Sequence, residues 1–75
     1  METTFSAKIS GRNKLSGTVT NIIPGIVTAE VELDIGNGSA VTGVITKRSL
    51  DDMQIRQGDE LTALVKATSV MFIKE

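Results

Sequence analysis

Period-two alternation of apolar and polar residues, a Gly36-Asn37-Gly38 hairpin signal and one short helix-capping pattern predict an all-β fold within 75 residues. The expected form is a small OB-like Greek-key barrel with one short helix between the third and fourth main strands. Closure into a barrel also hides most strand edges.

The elements follow in order. Phe5, Ala7 and Ile9 share one face of a first short extended segment. Leu15 to Ile23 is rich in Thr, Val and Ile and reads as extended until Pro24-Gly25 marks a turn. The clearest strand comes next: Val27, Ala29, Val31, Leu33 and Ile35 alternate with Thr28, Glu30, Glu32 and Asp34, giving an apolar face and an acidic one. Gly36-Asn37-Gly38 tolerates positive φ, and Ala40 to Thr46 returns as the other arm of a hairpin. Ser49 is the expected N-cap of the helix, with Asp52 at capping-box spacing and Leu50 and Met53 as its apolar side. Gly58 is the expected stop. Leu61, Ala63 and Val65 then alternate with Thr62, Leu64 and Lys66, and the apolar run Val70 to Ile73 is the expected last strand. Residues 1–75 are expected to form a single domain, with residues 1–4 flexible.

Composition narrows the chemistry. There is no Cys, so neither a disulfide nor a thiolate metal site is available, and the absence of His removes the usual zinc, copper and haem ligands. Trp and Tyr are also absent, and Phe occurs twice. A domain of this size buries only about 60–65% of its unfolded surface, so association into a homo-oligomer is the expected source of further burial. A net charge of −1 is poorly suited to nucleic acid, and no apolar run approaches the ~20 residues of a membrane span. Met1-Glu2-Thr3-Thr4 does not open a signal peptide, so a cytoplasmic location is expected. No nucleophile–base pair, metal cluster or nucleotide loop is apparent; neither catalysis nor a cofactor is expected.

The cations are unevenly placed. Lys8–Lys14, Thr46–Ser49 and Lys66–Ser69 total 15 residues, yet hold six of the eight Lys and Arg and none of the nine Asp and Glu. Donors without competing acceptors suit an anion. Arg12 offers a rigid fork of donors and Lys66 a compact charge, while Ser10, Thr46, Ser49 and Thr68 offer hydroxyls. Each group also has a plainer reading: Arg12-Asn13-Lys14 as a solvated turn, Ser49 as a cap, Lys66 as an exposed lysine. Pro24-Gly25-Ile26-Val27 is a further candidate, because a glycine turn can present consecutive N–H groups, although an ordinary turn between two strands is the more common reading of such a stretch.

Several blocks together carry a family resemblance. Ile9-Ser10-Gly11-Arg12-Asn13-Lys14-Leu15-Ser16-Gly17, Ala29-Glu30-Val31, Val44-Ile45-Thr46-Lys47-Arg48-Ser49 and the run from Gly58 to Met71 closely resemble the molbindins, the small Mop-type, TOBE-like molybdate-binding proteins. The resemblance spans Ile9 to Ile73. It implies a hexamer built as a trimer of dimers, with molybdate or tungstate bound between subunits for storage or homeostasis. It matches Ser10 and Arg12 to the family's S-A-R-N block, Thr46 and Ser49 to its hydroxyl block, and Lys66 with the Ala67 backbone to its third block. Gly11 stands where Ala is usual, and Arg48 where Glu is frequent. A second oxyanion site would lie near Ile26 and Val27. Two other functions compete: an OB-fold nucleic-acid module, which would need more exposed aromatics than Phe5 and Phe72, and a regulatory oxyanion sensor acting through a partner protein.

Overall fold

The computed structural model describes residues 13–75. The segment with Phe5, Ala7 and Ile9 lies outside them, as do Ser10 and Arg12. Four strands, β1 (Asn13–Pro24), β2 (Thr28–Gly36), β3 (Ser39–Thr46) and β4 (Glu60–Val65), form one antiparallel sheet in the order β3-β2-β1-β4. A six-residue helix α1 (Lys47–Asp52) joins β3 to β4, and a 3-10 turn at Ala67–Ser69 follows β4. This is the expected all-β, OB-like arrangement, with its helix where the sequence places it, and the sheet is curled into a half-barrel.

The curl originates in β1. Its first half pairs with β4, from Asn13↔Val65 to Thr18↔Glu60, and its second half with β2, from Thr18↔Asp34 to Pro24↔Ala29. Thr18 is the residue where the strand changes partner. A bulge between Val19 and Asn21 adds local twist at that handover. The chain entering β4 fastens it: Val19 N–H donates to Asp59 O and Gly58 N–H to Val19 O, each at 2.8 Å. The Gln57 amide donates to Thr20 O, the carbonyl at the bulge.

Alternation in β2 reads as expected. Ala29, Val31 and Leu33 are buried, and Glu30 and Asp34 face outward. Val19, Leu50 and Ile55 complete the buried core, with Ile22, Ile35, Ile45, Leu61 and Ala63 packed against it. Val27 differs from expectation. It precedes β2 and is 73% exposed, because the Gly25 turn, closed by Gly25 N–H to Thr28 O, leaves it outside the ladder.

The helix is capped one turn earlier than the sequence pattern suggests. Thr46 is the N-cap, with extended backbone, and its Oγ1 accepts the Ser49 N–H at 3.0 Å; Ser49 sits inside the first turn. The reason is that β3 pairs as far as Thr46↔Thr28 and the chain turns directly into helix. Gly58 does not stop this helix. Gln54 takes the left-handed position at φ 54°, Ile55 N–H reaches Leu50 O and Gln54 N–H reaches Asp51 O, which is a Schellman closure. Its apolar contact is supplied by Leu50 and Ile55, both in the core. Met53 lies just past the helix and is mostly exposed.

Two terminal expectations also change. Lys66 lies past the end of β4, at the start of the 3-10 turn. Val70 to Ile73 forms no strand: the 3-10 turn leads the chain away from the sheet, and Met71, Phe72 and Ile73 are almost fully exposed. Between β3 and β4, the outer strands of the sheet among the described residues, lies an apolar groove of about 300 Å³, lined by residues including Val41, Ile45, Met53, Leu61 and Ala63.

Gly17 is the tightest point of the sheet. A Cβ there would strike the Asp34 carbonyl and crowd the Ile35 side chain. Backbone has no rotamer by which to yield, so Gly17→Ala is expected to lower stability by about 1–3 kcal/mol in urea unfolding, the usual cost of overpacking. Gly43→Ala serves as the control and should change stability little, because a methyl on Gly43 would meet nothing within 4 Å.

Candidate oxyanion-binding blocks

The structure places Thr46 and Ser49 at the β3–α1 junction. Thr46 Oγ1 donates to Ser49 Oγ at 2.9 Å while accepting the Ser49 N–H. One hydroxyl proton is thereby spent inside the pair. Ser49 Oγ, which accepts, keeps its own proton for an outside acceptor. The two matched hydroxyls are therefore not equivalent: Thr46 caps and orients, and Ser49 is the one left with a donor to offer.

The cations beside them are less available than their sequence suggests. Lys47 Nζ meets both oxygens of Asp51 at 2.8 Å, and Arg48 lies 4.0 Å from Asp52. Both acids fall one helical turn on, just past the acid-free window, where i,i+4 spacing returns them to the same face. These surface pairs contribute little to stability, yet they do occupy the ammonium of Lys47.

Ile26 and Val27 join this neighbourhood. Lys47 N–H donates to Val27 O at 2.8 Å, so the Gly25 turn and the helix start are tied directly together. Ile26 is 96% exposed, which leaves its backbone open to solvent. Sequence spacing could not show this link, because the whole β2–β3 hairpin intervenes.

Lys66 and Ala67 lie elsewhere. Asn13, the first described residue, pairs with Val65 and donates from its side-chain amide to Val65 O at 3.2 Å. Lys66 stands one residue beyond that pair, exposed, with no carboxylate partner among the described residues. Its carbonyl accepts the Ser69 N–H, fixing the 3-10 turn that follows. In the sequence Asn13 is only part of a basic turn; its reach to Val65 O gives it a part in holding this end of β4.

The two described blocks are not brought together within one chain. Thr46 pairs with Thr28 beside the Pro24 end of β1, and Lys66 sits beside the Asn13 end. β1 has 12 residues, a contour of roughly 40 Å at the usual rise of about 3.3 Å per residue. Ser10 and Arg12 belong to the sequence just before Asn13 and lie outside the described residues.

The family relation is direct. The TOBE domain family matches residues 9–72, and the chain belongs to that family. Molybdenum-pterin-binding protein 3 of Clostridium pasteurianum is 46% identical over 65 residues, which cover 87% of this chain and 96% of that one. Among solved structures, a molybdate-binding protein from Sporomusa ovata superposes with a TM-score of 0.83 at 45% identity, covering 89% of this chain and 98% of its own. MopII of Clostridium pasteurianum, in an apo form, also gives 0.83, at 43% identity over 89% of this chain and all of that one. At these identities and near-complete coverage, the likeness extends beyond topology to the whole length of compact binding proteins.

Thr46 offers a test of the capping geometry. Thr46→Ala removes the acceptor for Ser49 N–H and should cost about 1 kcal/mol by thermal or chemical unfolding. Thr46→Ser keeps the oxygen and should recover most of that loss.

Proposed function

We propose that this chain, as a single domain over residues 1–75, binds molybdate, and tungstate with it, as a bare oxyanion for storage or homeostasis in the cytoplasm. The observation that carries this reading is the full-length relation to proteins named for molybdate and molybdenum-pterin binding. The ligands are Ser10, Arg12, Thr46, Ser49, Lys66 and the Ala67 backbone, with Ile26 and Val27 backbone at a second site. Ser49 donates to the anion directly, and Thr46 acts mainly by aiming it. No bond is made or broken, so no catalytic group is required.

The placement of the blocks supports a site shared between copies. Groups at opposite ends of a 12-residue strand meet around one small anion most simply when different subunits supply them. Exposed Ile23 and Val44, facing across Glu30 in register, and the exposed Met71, Phe72 and Ile73 are apolar area that association would cover. A homo-hexamer arranged as a trimer of dimers fits both needs.

The names of the relatives raise two ligands, and side-chain chemistry favours the simpler. A pterin ring needs stacking partners and paired donors and acceptors; the chain has no Trp, Tyr or His, and its groove is lined almost wholly by aliphatic groups, with neither of the two Phe among the described lining residues. Molybdate is fully deprotonated at neutral pH and only accepts hydrogen bonds. Phosphate keeps a proton that a donor-only site leaves unmatched.

Calorimetric titration with molybdate and tungstate should give saturable heat at micromolar ligand, with phosphate giving none; absence of molybdate binding would sink the proposal. Arg12→Ala or Lys66→Ala should weaken binding about tenfold or more, the loss expected for a charge-assisted hydrogen bond of about 1.5–3 kcal/mol. Sedimentation should show the oligomer intact in both. Wild-type affinity in both variants would refute the assigned ligands while leaving molybdate binding itself standing.

A further inference from the structure

We propose that Asn37 is a site of spontaneous covalent modification, deamidating through a cyclic imide with Gly38. The proposal is independent of the oxyanion reading. Asn37 and Gly38 are the two exposed residues of the β2–β3 turn, enclosed by the last ladder pair Gly36↔Ser39.

In the reaction, the Gly38 backbone nitrogen loses its proton to solvent and attacks the Asn37 side-chain carbonyl carbon. A new C–N bond closes a five-membered succinimide as the C–Nδ2 bond breaks and ammonia leaves. Water then opens either imide bond, giving aspartate or isoaspartate. One water enters, one ammonia departs, and nothing is oxidised or reduced.

Four features single this residue out. The attacking nitrogen belongs to glycine, and space around its Cα is open: a Cβ on Gly38 would meet nothing within 4 Å. Asn37 sits at φ 54°, the left-handed position that asparagine tolerates in a two-residue hairpin turn, which presents the Asn-Gly pair at the exposed tip. Its side-chain amide makes no hydrogen bond among the described residues, whereas the Asn13 amide is engaged with Val65 O. The chain's other asparagines are followed by bulky residues within β1, Asn13 by Lys14 and Asn21 by Ile22.

The product alters the hairpin tip. A carboxylate there joins Asp34, whose Oδ1 already accepts the Gly36 N–H at 2.9 Å, and moves the net charge from −1 to −2. Aspartate tolerates the left-handed turn, but isoaspartate adds a backbone methylene and breaks the two-residue register. The tip lies at the far end of the eight-residue β3 from the Thr46–Ser49 block.

The test is to age the purified full chain in mildly alkaline and mildly acidic buffer and map its peptides by mass spectrometry. Expected are the amide-to-acid mass change at Asn37, several times faster in the alkaline arm, and isoaspartate detected there by isoaspartyl methyltransferase labelling. Asn13 and Asn21 should remain unconverted over the same time, and Asn37→Gly should abolish the early acidic charge variant. The proposal is overturned if Asn37 persists while a free peptide of residues 33–42 converts, or if Asn13 or Asn21 converts as fast.

Discussion

The handover at Thr18, where β1 leaves β4 and takes up β2, is the constraint on which the rest of the structure depends. A straight strand paired along one edge would give a flat sheet with one face open to water. Splitting β1 between two partners, with a bulge just past the handover, forces the sheet to curl over Val19, the most buried side chain of the core. Gly17 permits the approach of β1 to Asp34 beside that point. The hydrogen bonds of Val19 with Gly58 and Asp59 then fix where β4 begins, and so where Lys66 ends up.

That same constraint separates the candidate ligands. Because the two halves of β1 serve different partners, whatever lies past β4 and whatever lies past β3 are carried to opposite ends of one strand. The half-barrel thus keeps the two described clusters, Thr46–Ser49 and Lys66–Ala67, apart. Among the described residues it also leaves the outer edges of β3 and β4 without a strand partner and an apolar groove between them, surface that association would cover. Among the described residues, the separation of the Thr46–Ser49 and Lys66–Ala67 blocks and the open groove are two consequences of one topology, and the proposed assembly answers both.

Much of this was legible in the sequence because it rests on period and turn chemistry. The β2 alternation from Ala29 to Ile35, the Gly36–Gly38 hairpin and the position of the helix are local signals, and they appear as expected. The helix cap is not decided locally: Thr46 and Ser49 are both good caps, and only the length of the β3 ladder chooses between them. Val70 to Ile73 has the composition of a strand, but a strand also needs a partner edge, and composition does not say where one is. The candidate site rests in the sequence on charge segregation, and the structure shows one distortion in that pattern. Windows drawn along the chain exclude Asp51 and Asp52, while helical spacing puts Asp51 on Lys47. The tie between Val27 O and Lys47 N was invisible, because it depends on which strands become neighbours.

The pairing of Lys47 with Asp51 bears on selectivity. With that charge occupied, the cationic share of the proposed site falls on Lys66 and Arg12, and the β3–α1 junction contributes a neutral donor, Ser49 Oγ, since the Lys47 and Ser49 N–H groups are already bonded to Val27 O and Thr46 Oγ1. Neutral donors discriminate by geometry and by proton count, since each demands an acceptor at a fixed place. Bare charges attract any anion, whatever its size or protonation state. A site weighted toward fixed hydroxyls and backbone is thus better suited to telling a fully deprotonated tetrahedral oxyanion from a protonated one. The Thr46–Ser49 pair serves this directly, because Thr46 occupies one lone pair of Ser49 and restricts where its remaining proton points.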